Sequence, residues 1–373
     1  MKIAIITTWN YKNNYGSVLQ CYALQKYLQD VGHDAYLIRY HPALKEVNLL
    51  HRLINMSNPI KEIFLRWYAT KSDRRRGFDK FRKTYINHSV EVYQSYNELK
   101  NNPPVADMYI VGSDQVWKVS AFSESKIRAF FLDFGDVKTR KISWAASFGM
   151  ESLNDVDMQK ISPFMKQFEY ISVREKSGLE ICRKCGIENA EWVIDPTLLL
   201  DANVYRSLYK NNSVSIAKPK SAYCFLYLLD DRNCVLIKKI YRWASKNRLP
   251  VVCVTGNSRY NRKNVYATIP EWIYLLEHCK FVITDSFHSM VFSVIFQRDF
   301  FIIPRTVAGQ NDRFQSFFEL LGVKQRFISD DIDFSSKNMR IPWGNVNQKL
   351  DEIKKFYIQK LSNILKPVID KNT

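Results

Sequence analysis

The sequence predicts an α/β protein with two parallel-sheet domains that face a cleft. Its 373 residues are too many for one compact core and suit two domains. Short apolar runs alternate with longer stretches of helical period, which is typical of repeated strand–helix units. This alternation stops at a polar stretch, residues 210–220, and then begins again. The same kind of unit is therefore expected on both sides of that stretch.

The first series of elements opens with a strand at residues 3–7 and a helix at 17–30, in which apolar side chains recur at helical spacing. A further helix is predicted from about residue 176. The other strands are predicted at residues 35–38, 108–111, 142–145, 170–173 and 191–194. We assign this series to a Rossmann-like domain, residues 1–200.

The second series predicts a second Rossmann-like domain, residues 201–345, and a C-terminal amphipathic helix within 346–373 that packs back across both domains. Its strands are predicted at residues 222–229, 251–255, 281–284 and 300–303, and its helices at 232–247, 271–279 and 286–297. In such sheets, ligands bind beyond the carboxyl ends of the strands. Residues that directly follow strands are therefore the candidates for function.

Residues 44–104 interrupt the first series with a basic segment that has few acids. Apolar side chains recur there at spacings of three and four, which predicts a helical insert with one apolar face. They are Ile60, Ile63, Phe64, Trp67, Phe78 and Phe81. One interpretation is a helical pair whose apolar face lies in the core. The other is a basic amphipathic surface that rests on anionic lipid headgroups.

Composition and charge limit the classes of function. Hydrophobic residues make up 46% and charged residues 25%, which excludes a largely disordered chain. Lys and Arg total 55 against 37 acids, and the formal charge of +18 predicts anionic partners. No apolar run approaches the roughly 18 residues of a membrane span. Seven cysteines without framework spacing suit a reducing compartment, so we expect a cytoplasmic location, with the inner face of the membrane as a further contact.

The clearest local signal lies at the end of the predicted strand 281–284. Asp285 and Ser286 are good helix-capping residues, and an apolar helix follows them. The free backbone N–H groups of Phe287, His288 and Ser289 would then favour an anion in the cleft. His288 adds a group that can donate a hydrogen bond or transfer a proton near neutral pH. Alternatively, the polar pair only caps the helix and His288 is structural.

Three arginines follow predicted strands. Arg174 directly follows strand 170–173, where a guanidinium can hold a carboxylate or phosphate by two hydrogen bonds. Pairing of Arg174 with Glu175 is the alternative. Arg305 and Arg313 come after strand 300–303 and could reach the same mouth of the second domain.

The first domain offers candidates for a sugar. The loop after its first strand, with Asn14, Tyr15 and Gly16, lacks the spaced glycine triplet of dinucleotide sites, so a nicotinamide cofactor is not expected. Asp114 suits sugar hydroxyls, and Trp117 suits the face of a sugar ring. Turn chemistry and a core tryptophan are the alternative. Two serines also follow strands, Ser113 and Ser147.

Taken together, the motifs make the chain resemble the polysaccharide pyruvyltransferase family, from the first strand to about residue 325. The windows that carry the resemblance are residues 14–20, 112–117, 146–149, 172–175, 195–197 (Asp-Pro-Thr) and 284–288 (Thr-Asp-Ser-Phe-His). The resemblance implies a GT-B-like fold. It also implies transfer of the enolpyruvyl carbons of phosphoenolpyruvate onto two hydroxyls of one sugar, which gives a cyclic pyruvate ketal. Phosphoenolpyruvate would be a co-substrate, and no cofactor or metal is expected.

The resemblance also implies where the substrates bind. In the family the donor lies on the second domain, and Arg174 and His288 match its donor-binding arginine and histidine. Ser286 stands where many members have an arginine, which indicates an Asp-Ser-Phe-His branch in which Arg305 or Arg313 replaces the lost charge. The expected donor set is Arg174, Ser286, Phe287, His288, Arg305 and Arg313, with the donor between Arg174 and His288. The expected acceptor set is Asn14, Tyr15, Gly16, Ser113, Asp114, Trp117 and Ser147.

The chemistry of ketal formation suggests roles for three of these residues. The methylene carbon of the donor must receive a proton, for which His288 is the expected acid, and Asp114 is the expected base for a sugar hydroxyl. Arg174 would hold the anionic donor. The acceptor would belong to a capsule or exopolysaccharide, or to its polyprenyl-diphosphate-linked precursor.

Two other functions compete with pyruvyl transfer. A glycosyltransferase with a nucleotide-sugar donor could use the same fold, although helix 286–297 carries no acid to hold a ribose. A basic adaptor that binds a membrane or nucleic acid is the third hypothesis. No nucleic-acid-binding motif occurs, so a nucleic-acid partner is not expected.

Overall fold

The computed structural model contains two five-stranded parallel sheets with helices packed against them, so the predicted α/β fold class is confirmed. It describes residues 1–42, 73–211, 219, 221–229, 234–255, 264–305, 309–328 and 340–366. The central strands are buried because helices cover the sheets, which explains why these strands appear as continuous apolar runs in the sequence. Met108–Val111 and Phe281–Thr284 are buried at every position.

The first sheet has the strand order β3-β2-β1-β4-β5, and all of its pairs are parallel. Its strands are β1 (Lys2–Ile6), β2 (Asp34–Tyr40), β3 (His88–Tyr93), β4 (Met108–Val111) and β5 (Arg140–Ser143). A short parallel pair, β6 (Ser172–Val173) and β7 (Glu191–Trp192), continues it through single bridges. The accompanying helices are α1 (Tyr15–Asp30), α2 (Phe78–Tyr85), α3 (Tyr96–Asn101), α4 (Glu124–Phe130), α5 (Asp155–Met165) and α6 (Lys176–Lys184).

The second sheet repeats this arrangement with the order β10-β9-β8-β11-β12. Its strands are β8 (Cys224–Leu228), β9 (Val251–Thr255), β10 (Asn264–Val265), β11 (Phe281–Thr284) and β12 (Phe300–Ile302). The helices are α7 (Ala202–Lys210), α8 (Cys234–Lys246), α9 (Ile269–Glu277), α10 (Phe287–Ile295), α11 (Asp312–Leu321) and α12 (Trp343–Ile364). The strand order reverses between β1 and β4 in one sheet and between β8 and β11 in the other. Ligand crevices form at such switch points.

The two domains share one apolar core around the start of α1. Tyr15 stacks on Trp272 with ring centroids 5.4 Å apart, and its hydroxyl donates a hydrogen bond to the carbonyl of Ala267 at 2.6 Å. The switch points of the two sheets therefore face each other across a closed interface.

The last helix, α12, runs from the second domain onto the first. At its start, the backbone N–H of Ile341 donates to Asp299 at 2.8 Å. Further along, the Tyr357 hydroxyl donates to the carbonyl of Trp192 at 2.7 Å, and Arg140 donates to the carbonyl of Ile364 at 2.6 Å. None of the helices in the described ranges is long and apolar enough to cross a bilayer.

The described part of the basic segment differs from the predicted helical insert. Residues 43–72, with most of its apolar stripe, lie outside the described residues. Phe78 and Phe81 are buried in the core, as the core-facing interpretation predicts. Residues 88–93, however, form edge strand β3. The prediction of a helical insert is therefore wrong for these residues. Exposed and buried positions are mixed along this strand, so it lacks the continuous apolar run by which the buried strands were recognised.

Candidate active site

Side chains that follow strands of both sheets meet at the domain interface. Asp114 follows β4, and His288 lies in the first turn of α10, directly after β11. Gly16 of α1 packs so closely on His288 that a Cβ at Gly16 would lie less than 3.0 Å from the Cβ, Cγ and Nδ1 atoms of the histidine. Gly16 was predicted to bind the acceptor, but it makes room for the imidazole instead.

The centre of this arrangement is the carboxylate of Asp195, to which the sequence analysis gave no role. Its Oδ2 atom accepts hydrogen bonds from Ser113 Oγ at 2.8 Å and from Arg174 Nη1 at 3.3 Å. The same oxygen lies 3.4 Å from His288 Nε2, close enough for an ion pair. Asp195 therefore occupies the place between Arg174 and His288 where the donor was expected. Its position shortly after β7 was the feature of the sequence from which a role for Asp195 could have been predicted.

The electrostatics of Asp195 explain why this buried group stays charged. Burial opposes its ionisation, but the charges of His288 and Arg174 outweigh burial and hold its pKa well below the usual range. Its other oxygen, Oδ1, accepts hydrogen bonds from the backbone N–H and the hydroxyl of Thr197, at 3.0 and 2.7 Å. Asp195 is thus a fixed anion that orients the histidine and the arginine.

Two buried guanidinium groups lie close to the ring of Phe287. The Cζ atoms of Arg174 and Arg313 lie 4.7 and 6.0 Å from the ring centroid. Among the described residues, Nε and Nη2 of Arg174 and Nε of Arg313 have no hydrogen-bond acceptor, although all three atoms are buried. Burial, together with the charge of Arg174, lowers the pKa of Arg313 to about 10. A bound anion would offset the cost of burying these two like charges.

The other two predicted donor residues hold the start of α10 in place. Arg305 Nη1 donates to Asp285 Oδ2 at 2.8 Å, and the other Asp285 oxygen accepts from the backbone N–H of Leu229 at 2.7 Å. Ser286 Oγ caps α10 by accepting from the N–H of Ser289 at 3.4 Å. The N–H group of Ser289 was expected to be free to bind an anion, but this hydrogen bond to Ser286 engages it.

Asp114 adopts a backbone conformation that is unusual for a residue other than glycine, with φ of 77°. Such strain costs on the order of 1–3 kcal/mol and is concentrated at functional sites. The Thr8 hydroxyl donates to Asp114 Oδ2 at 2.7 Å, and Arg174 Nη2 lies 3.9 Å from Oδ1. Burial opposes ionisation, but the charges of Arg174 and His288 lower the pKa of Asp114. Asp114 is therefore a carboxylate at neutral pH.

Two predicted acceptor residues belong to the core instead. Trp117 is fully buried, stacks on Phe131 with centroids 5.0 Å apart, and donates from Nε1 to the carbonyl of Phe130 at 3.1 Å. Tyr15 is fully buried in the interdomain cluster described above. Neither ring has a face left for a sugar, so these two predictions are wrong. The large apolar rings lie where burial stabilises the fold most.

The side chains of the remaining predicted acceptor residues make hydrogen bonds within the protein. The Asn14 side chain caps α1 by accepting from the N–H of Ser17 at 3.2 Å. Ser147, which is fully buried, donates from Oγ to Glu175 Oε1 at 3.0 Å. Ser113, also fully buried, hydrogen-bonds Asp195 as described above. Of the seven predicted acceptor residues, Asp114 is the one that combines a strained backbone with a carboxylate close to Arg174.

Glu175 is a second buried acid that the sequence analysis considered only as a partner of Arg174. Its Oε1 atom also accepts from the backbone N–H groups of Phe148 and Gly149, at 2.8 and 3.1 Å. Its Oε2 atom is buried without a hydrogen-bond partner among the described residues and lies 4.0 Å from Arg174 Nε. Burial outweighs these contacts and raises the pKa of Glu175. Within the described ranges, no group of three or more His, Cys, Asp or Glu side chains could hold a metal ion.

The comparison with protein families agrees with the resemblance carried by the motifs. A family model described as polysaccharide pyruvyl transferase matches residues 14–306. This range contains Asp114, Arg174, Asp195 and His288. None of the curated proteins compared with the chain matches it.

Solved structures show distant similarity over the whole chain. The UDP-GlcNAc 2-epimerase from Neisseria meningitidis bound to UDP-GlcNAc is 10% identical, with 97% of this chain and 100% of that chain covered and a TM-score of 0.42. The UDP-GlcNAc 2-epimerase from Methanocaldococcus jannaschii is 11% identical, with 97% and 100% covered and a TM-score of 0.47. SsfS6, a glycosyltransferase from Streptomyces sp. SF2575, is 12% identical, with 97% and 99% covered and a TM-score of 0.41.

Proposed function

The chain belongs to the polysaccharide pyruvyl transferase family, and on this premise we propose that it transfers pyruvate from phosphoenolpyruvate to two hydroxyls of one sugar, forming a cyclic pyruvate ketal. The acceptor is a sugar of a capsule or exopolysaccharide, or of its polyprenyl-diphosphate-linked precursor. Phosphoenolpyruvate is a co-substrate, and the reaction takes place in the cytoplasm at the inner face of the membrane.

The observation that carries this proposal is the pair of buried guanidinium groups, Arg174 and Arg313, that both lie close to the ring of Phe287. Phosphoenolpyruvate is a three-carbon molecule with a phosphate and a carboxylate, and two arginines with unused N–H groups suit such a compact anion. Asp195 engages Nη1 of Arg174, so Nε and Nη2 are the atoms that remain for the donor. We therefore place the anionic groups of the donor on Arg313 and on these two atoms of Arg174, with its methylene carbon toward His288.

The chemistry begins with proton transfer to the methylene carbon, which makes C2 of the donor electrophilic. A sugar hydroxyl adds to C2, phosphate leaves, and a second hydroxyl closes the ring. His288 is the proposed acid because an imidazole can transfer a proton near neutral pH and its ring is held 3.4 Å from the buried carboxylate of Asp195. Glu175 is a second candidate, because its raised pKa favours the protonated form and its unpartnered oxygen lies beside Arg174.

Asp114 is the proposed proton acceptor for the attacking hydroxyl. Its lowered pKa makes it a weak base toward a free sugar. A hydroxyl that is forming a bond to an electron-poor carbon becomes far more acidic, however, and a carboxylate can then remove its proton. The fixed orientation of Asp114, held by Thr8, supports this role.

The proposal is tested by titrating phosphoenolpyruvate into wild-type protein and into Arg313→Met by calorimetry. Loss of one charged hydrogen-bonding group should weaken binding by about 10- to 100-fold. Arg183→Met is the matched control, since Arg183 is exposed and pairs with Glu180 on the same helix, α6, and it should bind the donor normally. Failure of the wild type to bind phosphoenolpyruvate would refute the proposal, and binding of a nucleoside diphosphate sugar in its place would favour the glycosyltransferase alternative.

A further inference from the structure

A cavity in the first domain, beside Asp114, is not explained by the donor site. It has a volume of about 260 Å³ and lies at the carboxyl ends of β1 and β2. Its walls include Trp9, Tyr11 and Tyr40, and Thr8 forms part of its lining. Because the Thr8 hydroxyl donates to Asp114 at 2.7 Å, this cavity adjoins the carboxylate that the proposed reaction uses.

The aromatic wall of this cavity is held in place before any ligand binds. Buried Arg82 donates hydrogen bonds to the backbone carbonyls of Trp9 and Tyr11, at 3.3 and 2.7 Å. The Trp9 indole donates to the carbonyl of Tyr40 at 3.1 Å. The Tyr11 side chain remains partly open, with 43% of the residue exposed. Rigid aromatic faces with a few polar groups are suited to binding a sugar ring.

A cation, Lys126, also lines the cavity. The ammonium group of Lys126, on α4, lies 3.8 Å from the ring centroid of Phe122 and 5.7 Å from that of Phe130. No carboxylate pairs with it in the part of the chain that the structure describes. Burial lowers the pKa of Lys126, which means that taking its charge out of water is costly. An anionic group in the cavity would provide the missing partner.

We infer that this cavity is the acceptor subsite and that Lys126 selects a sugar that carries a negative charge, either a carboxylate or a phosphate. The acceptor role rests on the proposed function, whereas the preference for an anionic sugar rests on the cavity alone. In this arrangement Trp9 and Tyr11 make the contact with the sugar ring that the sequence had assigned to Trp117. Asp114 then lies at the boundary between the acceptor and the donor.

The inference is tested by titrating three probes: methyl β-D-glucuronide, glucose 1-phosphate and methyl β-D-glucoside. An anionic probe should bind wild-type protein at least tenfold more tightly than the neutral glucoside. Lys126→Met should abolish this preference and Lys126→Arg should keep it. Lys138→Met, at an exposed lysine outside the cavity, is the control. The anionic probe that binds more tightly distinguishes a uronic acid from a sugar phosphate.

Tyr11→Ala should weaken binding of whichever probes bind, and Tyr11→Phe should not. Unchanged thermal unfolding of each variant shows that the fold is intact. Equal binding of the neutral probe, absence of binding by all three probes, or an unchanged preference in Lys126→Met would overturn the inference. Phosphoenolpyruvate titrated into the same proteins separates the two ideas. Sugar binding that depends on Lys126 without donor binding would refute pyruvyl transfer, and with it the acceptor role, but would leave the preference for an anionic sugar standing. The reverse result would refute the inference about the cavity alone.

Discussion

Replacing Gly16 by alanine tests the packing that positions the His288 imidazole. Gly16 is the second residue of α1, and its backbone is outside the left-handed region, so alanine itself is not strained there. The added Cβ would nevertheless lie less than 3.0 Å from three atoms of His288. Since carbon atoms do not approach so closely, either the imidazole or α1 must move. Either movement would separate His288 Nε2 from Asp195, which are now 3.4 Å apart.

The expected size of this effect follows from two opposing contributions. Overpacking a well-packed site costs about 1–3 kcal/mol, and three simultaneous overlaps favour the upper part of that range. Alanine in place of glycine in a helix regains about 0.5–1 kcal/mol. We therefore expect Gly16→Ala to lower the free energy of unfolding by about 2 kcal/mol. Displacement of the imidazole by about 1 Å should reduce turnover on the order of 100-fold.

The assay is urea unfolding, combined with a double-mutant cycle. Gly344→Ala is the matched control, because Gly344 is also the second residue of a helix, α12, and an added Cβ meets nothing within 4 Å. It should be neutral or slightly stabilising. In a His288→Gly background, which removes both the ring and its Cβ, Gly16→Ala should cost little. The same cost in both backgrounds, or no cost in either, would refute the reasoning.

Three other substitutions have expected effects on unfolding. Asp195→Asn should lower stability at pH 7 by about 3 kcal/mol, because it removes the buried carboxylate charge that is hydrogen-bonded to Arg174. This deficit should shrink below about pH 4. A carboxylate whose pKa is lowered in the folded state stabilises the fold above its unfolded pKa, and it loses that effect as the pH falls. A deficit that stays constant with pH would contradict this explanation. Glu175→Gln should become more stable than the wild type above about pH 4.3. The pKa of Glu175 is raised in the folded state, so ionisation of this carboxyl group destabilises the wild-type fold. Parallel profiles of unfolding free energy against pH for the two proteins would contradict this prediction. Trp117→Ala should cost about 3–5 kcal/mol, and a loss below about 1 kcal/mol in the same urea experiment would show that Trp117 is not a core residue.

The strands were predicted well where burial on both faces produces a continuous apolar run. Residues 251–255 and 281–284 form β9 and β11 at the predicted bounds. Edge strand β3 was missed because half of its side chains are in solvent, and β10 because it has only two residues. An apolar local composition indicates that a segment is buried on both faces. An edge strand is buried on one face only, so its composition gives little indication that it is a strand.

The site was predicted in part, because residues that follow parallel strands must meet at the carboxyl edge of a sheet. Asp114, Arg174 and His288 were found by this rule, and the structure brings them together. The rule does not say which way a side chain points. It therefore could not distinguish Trp117, which enters the core, from Trp9, which lines a cavity. Asp195 satisfies the rule, since it directly follows the predicted strand 191–194, but it was given no role.

By itself, the sequence determined the α/β class, the two series of strand–helix units and the strand ends from which the site is built, because each depends on residues close together in the chain. Only the tertiary structure decided that Asp195 lies between Arg174 and His288, and that Gly16 packs against the imidazole. These contacts join residues far apart in the chain, from both domains. Their geometry depends on how the two domains pack against each other, which no local pattern of residues specifies.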